Sequence, residues 1–97
     1  MNNLKPLEII DEWFKTLVNG EWEHHNGIKI ETTDNPGWMI TINLPLDLQK
    51  KSDEINNIIK KSDEVEGMIK NGNLYIYSVD LKVLINEFSR ILNFQKQ

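Results

Sequence analysis

The sequence predicts an α+β fold: an antiparallel sheet of four to five strands, built from two hairpins, with an N-terminal and a C-terminal helix packed on it. Three observations carry this expectation. Apolar residues recur at three- and four-residue spacing near both ends of the chain. Between them the spacing falls to two, with β-branched residues on alternate positions. Two runs of turn formers, Asp34-Asn35-Pro36-Gly37 and Asn71-Gly72, divide the period-two stretches into pairs. A chain of 97 residues holds one core, so residues 1–97 are read as a single domain.

Leu4, Leu7, Ile10, Phe14, Leu17 and Val18 form the first helical stripe, over about residues 4–18. Pro6 suits its first turn, Glu8, Asp11 and Glu12 favour its positive end, and Gly20 suits its C-terminal cap. Ile28, Ile30 and Thr32 alternate with Lys29, Glu31 and Thr33, and Trp38, Ile40, Ile42 and Leu44 with Met39, Thr41 and Asn43. This first hairpin should turn its even-numbered face to the core, with Gly37 supplying a positive φ in the turn.

Asn71-Gly72 is the strongest short signal for a type I′ turn, because both positions need φ > 0. Folding there pairs Lys70 with Asn73, Ile69 with Leu74, Met68 with Tyr75 and Gly67 with Ile76. Val65, Ile69, Leu74 and Ile76 then share one face, and Met68, Tyr75 and Tyr77 the other.

Residues 48–62 allow two readings. Ser52-Asp53-Glu54 could open a short helix carrying Ile55, Ile58 and Ile59, or Asn56 to Ser62 could form a further strand. The strand is the favoured reading, since a meander would shield an edge of the second hairpin. Asp80 then caps a closing helix whose stripe is Leu81, Leu84, Ile85, Phe88, Ile91 and Leu92, with the tail from Asn93 to Gln97 expected to fray.

Composition excludes several function classes. Acids outnumber bases by fifteen to eleven, a net charge of −4, which argues against a general nucleic-acid binder. The excess is local: residues 1–48 hold eight acids and three bases, and the remaining residues hold seven and eight. No apolar run approaches the roughly 18 residues a membrane span needs, so no membrane partner is expected. Zero cysteines exclude a disulfide framework, a thiolate metal site and a cysteine nucleophile. Met1-Asn2-Asn3-Leu4-Lys5-Pro6 lacks the layout of a secretion signal, so a cytoplasmic location is expected.

The densest run of chemically capable residues is Glu21-Trp22-Glu23-His24-His25-Asn26-Gly27. Adjacent histidines point apart on an extended chain, and no third histidine or thiol completes a metal shell, so no metal or other cofactor is expected. An acid–base pair could be drawn from Glu23, His24, Glu31 and Asp34, but carboxylates abound in any acidic chain. The chain is expected not to be an enzyme, and a small metal-dependent or acid–base enzyme using Glu23, His24 and His25 is the alternative. Trp13 and Trp38 read as core. Trp22 beside the acidic loop suits either a packed position or an interface. The first-half carboxylates Glu21, Glu23, Glu31 and Asp34 read as a solvated surface, or more sharply as a negative patch complementary to a basic protein. Met68, Tyr75 and Tyr77 would make an exposed apolar patch, and that face or a strand edge could join a homodimer, so the chain is expected to be a monomer or a weak homodimer.

Gly20-Glu21-Trp22-Glu23-His24, then Asn26-Gly27-Ile28-Lys29-Ile30-Glu31-Thr32, then Asp34-Asn35-Pro36-Gly37-Trp38, resembles the bacterial immunity protein family numbered fifty-three, a family of polymorphic toxin systems. Trp13 matches the tryptophan of that family's first helix. The resemblance is specific over about residues 12–44, vague over 45–80, and returns loosely in the closing helix. It implies an antidote that binds a cognate secreted toxin and blocks it by stoichiometric occlusion; the acidic first half would fit a basic toxin such as a nuclease. By the same resemblance, Glu21, Trp22, Glu23, His24, Glu31 and Asp34 are toxin-binding candidates, and Asn35, Pro36, Gly37 and Trp38 a structural motif. Glu23, His24 and Asp34 are also candidate hydrogen-bonded loop clamps.

Overall fold

A computed structural model describes residues 5–93. Along the chain these form α1 (Pro6–Leu17), α2 (Trp22–His25), β1 (Ile28–Thr33), β2 (Gly37–Asn43), α3 (Leu46–Gln49), α4 (Ser52–Lys60), β3 (Glu66–Lys70), β4 (Asn73–Ser78) and α5 (Leu81–Asn93). The expected places of Leu4 in the first helix and of the tail beyond Asn93 lie outside the described residues; Asn93 itself is helical.

The strands make one antiparallel sheet in the order β1-β2-β4-β3. The second hairpin has the register that Asn71-Gly72 demands, with Lys70 opposite Asn73 and Met68 opposite Tyr75. Asn71 at φ 53° and Gly72 at φ 78° supply the left-handed pair. Rows run across the sheet: Ile28, Ile42, Leu74 and Ile69 form one, and Ile30, Ile40, Ile76 and Gly67 the next.

Helices cover this apolar side. α5 lies against β2 and β4, α4 against β3, and α1 against α5. Asp80 caps α5, its carboxylate accepting the Val83 N–H at 3.1 Å. Ile40, Ile42, Leu74, Ile76, Leu84, Phe88 and Ile91 are fully buried, and Trp13 of α1 meets Phe88 edge-on at 6.4 Å. On β1 the inward face thins out: Ile28 is partly buried, but Ile30 is 46% exposed because β1 is the sheet edge beyond α5.

Four expectations change. Residues 52–60 are helix, not strand. In a strand Ile58 and Ile59 would point to opposite faces. In α4 they join Ile55 on one stripe, with Ile55 and Ile59 buried, Asp53 and Glu54 in the first turn and Lys60 in the last. The edge of the second hairpin is therefore β3, with α4 packed on it. Gly67 permits that contact: a Cβ there would stand 3.3 Å from Ile59 Cδ1 and 2.7 Å from the Tyr75 carbonyl oxygen.

The other changes are smaller. α1 stops at Leu17 and Val18 is extended, so Gly20, at φ 90°, turns the following loop and does not cap the helix. Gly37 has no positive φ; it is the first residue of β2, and its missing side chain serves packing. The loops at 22–25 and 46–49 each wind into one helical turn, the second burying Leu48 completely.

Candidate functional site

Two regions collect the candidate residues: the corner from α1 to β1, and the side of the sheet that no helix covers. In the corner, the Asn19 and Glu23 side chains clamp the backbone between residues 19 and 22. Asn19 Oδ1 accepts the N–H groups of Glu21 and Trp22, both at 2.9 Å. Glu23 accepts from Asn19 N at 3.0 Å through Oε1 and from Gly20 N at 2.8 Å through Oε2. Trp22 is the first residue of α2 and Glu21 its N-cap, while the Asn19 and Gly20 amides belong to the loop before it; without these acceptors all four would face water alone. Backbone N–H donors, its own and that of Asn19 first, hold the Glu23 carboxyl below the usual carboxylate range.

Trp22 packs edge-on against Phe14 of α1 at 6.2 Å and is half-buried. Asn26 Nδ2 donates back to the Trp22 carbonyl at 3.1 Å. The motif at 19–26 thus closes the joint between α1 and β1. Glu21, His24 and His25 remain exposed on its surface. The expected clamp role holds for Glu23 alone, since the His24 ring and the Asp34 carboxylate make no side-chain hydrogen bond to a described residue.

Asp34 lies in the β1–β2 turn, at the other end of β1. Six strand residues at about 3.3 Å each put it about 20 Å from the corner. Glu31 stands between, half-buried on the uncovered side, 3.6 Å from Lys29. The six candidate residues therefore occupy three places along one strand and do not form a single patch.

The turn motif has a packing role. A Cβ on Gly37 would come within 2.6 Å of the Tyr77 ring, and Tyr77 Oη donates to the Pro36 carbonyl at 3.3 Å. Tyr77 of β4 thus lies across the start of β2 and locks the first hairpin to the second. Trp38, half-buried, packs against the core from the same turn.

On the uncovered side, register places Glu31, Met39, Tyr77 and Glu66 in one row. Lys29, Thr41, Tyr75 and Met68 form the next. Asn43 Nδ2 donates to Asn73 Oδ1 at 2.6 Å in a third row, and Asn43 Oδ1 accepts from Gly27 N, tying the corner to the sheet. The middle of this side is methionine and tyrosine, and charges of both signs stand at its rim. That is the anatomy of a protein interface: aromatic and Met centre, polar surround. The sequence pattern already showed Met68, Tyr75 and Tyr77; it missed Met39 and Thr41, whose signal is their odd position on a strand with an even-numbered core face.

Among the described residues no three histidine, aspartate or glutamate side chains gather so as to hold a metal ion. No described helix is long and apolar enough to cross a membrane.

Compared with known protein families, residues 7–93 match immunity protein 53. The chain belongs to the immunity protein 53 family. The match covers most of the chain, including α4 and β3, where the sequence resemblance was vague. No curated protein and no solved structure matches significantly.

Proposed function

We propose that this chain is an antidote that binds a cognate secreted toxin and neutralises it by stoichiometric occlusion within the producing cell's cytoplasm. The carrying observation is the family match over residues 7–93. The open sheet side supports it: Met39, Tyr75, Tyr77 and Met68 offer rigid apolar contact area, of the kind that concentrates binding energy. Glu31, from the family-like motif, lies on that side, while Glu21 and His24 at one end of β1 and Asp34 at the other reach the partner's rim. The acidic excess of the first 48 residues suits a toxin with a basic surface, such as the phosphate-binding groove of a nuclease.

The test is a pull-down with this chain from the producing strain, followed by co-expression with any toxin domain it recovers. Expected are restored growth and a one-to-one complex that survives gel filtration. Continued killing together with no complex would overturn the proposal.

A further inference from the structure

We propose that the free edge of β1 joins a second copy of this chain, antiparallel about Ile30, to form a continuous eight-stranded sheet. β1 pairs only with β2, and its outward backbone groups meet no partner among the described residues. Such an edge accepts another strand. Its sequence is self-complementary in a single register. With Ile30 opposite its twofold mate, Lys29 of each copy faces Glu31 of the other on the open side. Centring the pair on residue 29 sets lysine against lysine, and centring it on residue 31 sets glutamate against glutamate. Opposite charges in facing positions stabilise a strand pair, and like charges destabilise it. Within one chain Lys29 already lies 3.6 Å from Glu31, so pairing makes a four-charge ring of alternating sign.

The helix side of the same edge supplies the apolar half of the interface. Ile30 is 46% exposed and Leu7 67%. With Pro6, Leu81 and Ile85, and with Lys5, Glu8, Lys82 and Asn86 also in the lining, they form an open groove of about 850 Å³ beside β1 whose surface is mainly apolar. A twofold on Ile30 sets the two grooves together, where each buries the Ile30 and Leu7 of its neighbour. β3, the other edge, carries the same kind of charge pair in Glu66 and Lys70. Its helix side is closed by α4, with Ile59 against Gly67, and has no such groove.

Sedimentation of the full chain over a concentration series tests this without any toxin. The wild type should reach the dimer mass. Lys29→Glu and Glu31→Lys, each alone, should be monomers. Mixing the two should restore a one-to-one dimer, because one copy then carries acids at both positions and the other carries bases at both. Glu66→Lys and Tyr75→Ala should leave the dimer intact. A wild type that stays monomeric overturns the proposal, as does a dimer that survives the β1 reversals or dissolves with Glu66→Lys or Tyr75→Ala. Singles that dissociate but do not recombine would refute the register.

Discussion

Glu87 makes a prediction whose sign changes with pH. It lies on α5, only 4% exposed, in a chain that keeps most of its carboxylates in water. Its Oε1 accepts from Arg90 Nη1 at 3.0 Å, while Oε2 is buried without a hydrogen-bond partner among the described residues. Burial raises its pKa, opposed by the Arg90 charge. A folded-state pKa above the unfolded value means that the group's favourable contribution is complete in acid. It is lost as pH rises through the folded value. At neutral pH the carboxylate is therefore a cost. An unpartnered buried acceptor costs about 1–3 kcal/mol, and Arg90, which is itself largely exposed, offsets about 1 kcal/mol at most. Glu87 borders a shallow concavity with Ser62, Asp63 and Glu64, so the low end of that range applies.

Glu87→Gln keeps the shape and the acceptor for Arg90 while removing the charge. It should stabilise the fold by about 1 kcal/mol at pH 7, a melting-temperature rise of about 4–8 °C for a domain of this size. The gain should shrink in acid, where the wild-type side chain is neutral too. Arg90→Ala should destabilise, and adding Glu87→Gln should recover most of that loss. Thermal melts at pH 7 and pH 4 decide the matter. A lower melting temperature at pH 7, or a gain equal at both pH values, would refute the reasoning.

Three further outcomes follow from the geometry. Gly67→Ala should cost about 1–3 kcal/mol in urea melts, because the new methyl meets a backbone carbonyl and buried Ile76. Gly37→Ala should cost less, since the far end of the Tyr77 ring can swing away; equal losses would contradict this. Tyr75→Ala should weaken toxin binding at least tenfold, about 1.4 kcal/mol, with little change in melting temperature, whereas unchanged affinity would move the contact surface off the open sheet side. Glu23→Gln should speed hydrogen exchange at the Asn19 and Gly20 amides at neutral pH. Because the Glu23 pKa is lowered in the fold, its contribution is present above the ordinary carboxylate range and lost as pH falls through the lowered value, so the wild type should match the variant only in acid. Protection equal in both proteins at neutral pH would show that the clamp is not what orders the corner.

What the chain states locally was legible, and what depends on a neighbour was not. The second hairpin could be read to the residue because turn chemistry and side-chain alternation specify the same register. α5 could be read from Asp80 and a 13-residue stripe. α4 could not, since nine residues with three isoleucines fit either period, and only the approach of Ile59 to Gly67 decides between them. Gly37 looked like a turn former because it follows Pro36; its reason is the Tyr77 ring, forty residues away in the chain. Glu23 reads from the sequence as a binding or catalytic carboxylate and equally as a loop clamp, and only the clamp is what its contacts show. Its partners are backbone amides, and the local sign was Asn19, four residues before it.

The residues that are easiest to recognise by resemblance are thus largely those that hold the joints. Asn19, Trp22 and Glu23 fix the entry to β1, and Pro36, Gly37 and Trp38 fix the first hairpin to the second. Side chains committed to these bonds cannot be exchanged freely to suit one toxin or another. On the open side Met39, Thr41, Tyr75 and Met68 are less constrained, because no described helix packs there, whereas Tyr77 is itself committed to Gly37 and the Pro36 carbonyl. Substitutions at those four positions should therefore disturb the fold less than substitutions at the joints. Glu31 is the exception that connects the two: it sits inside the recognisable motif yet points to the open side, opposite Met39. If toxin contact and strand-edge pairing both use it, Lys29→Glu combined with Glu31→Lys in one chain separates them. The doubly swapped chain still faces lysine with glutamate across the twofold and should remain a dimer, while any toxin contact that reads the carboxylate at residue 31 should be lost.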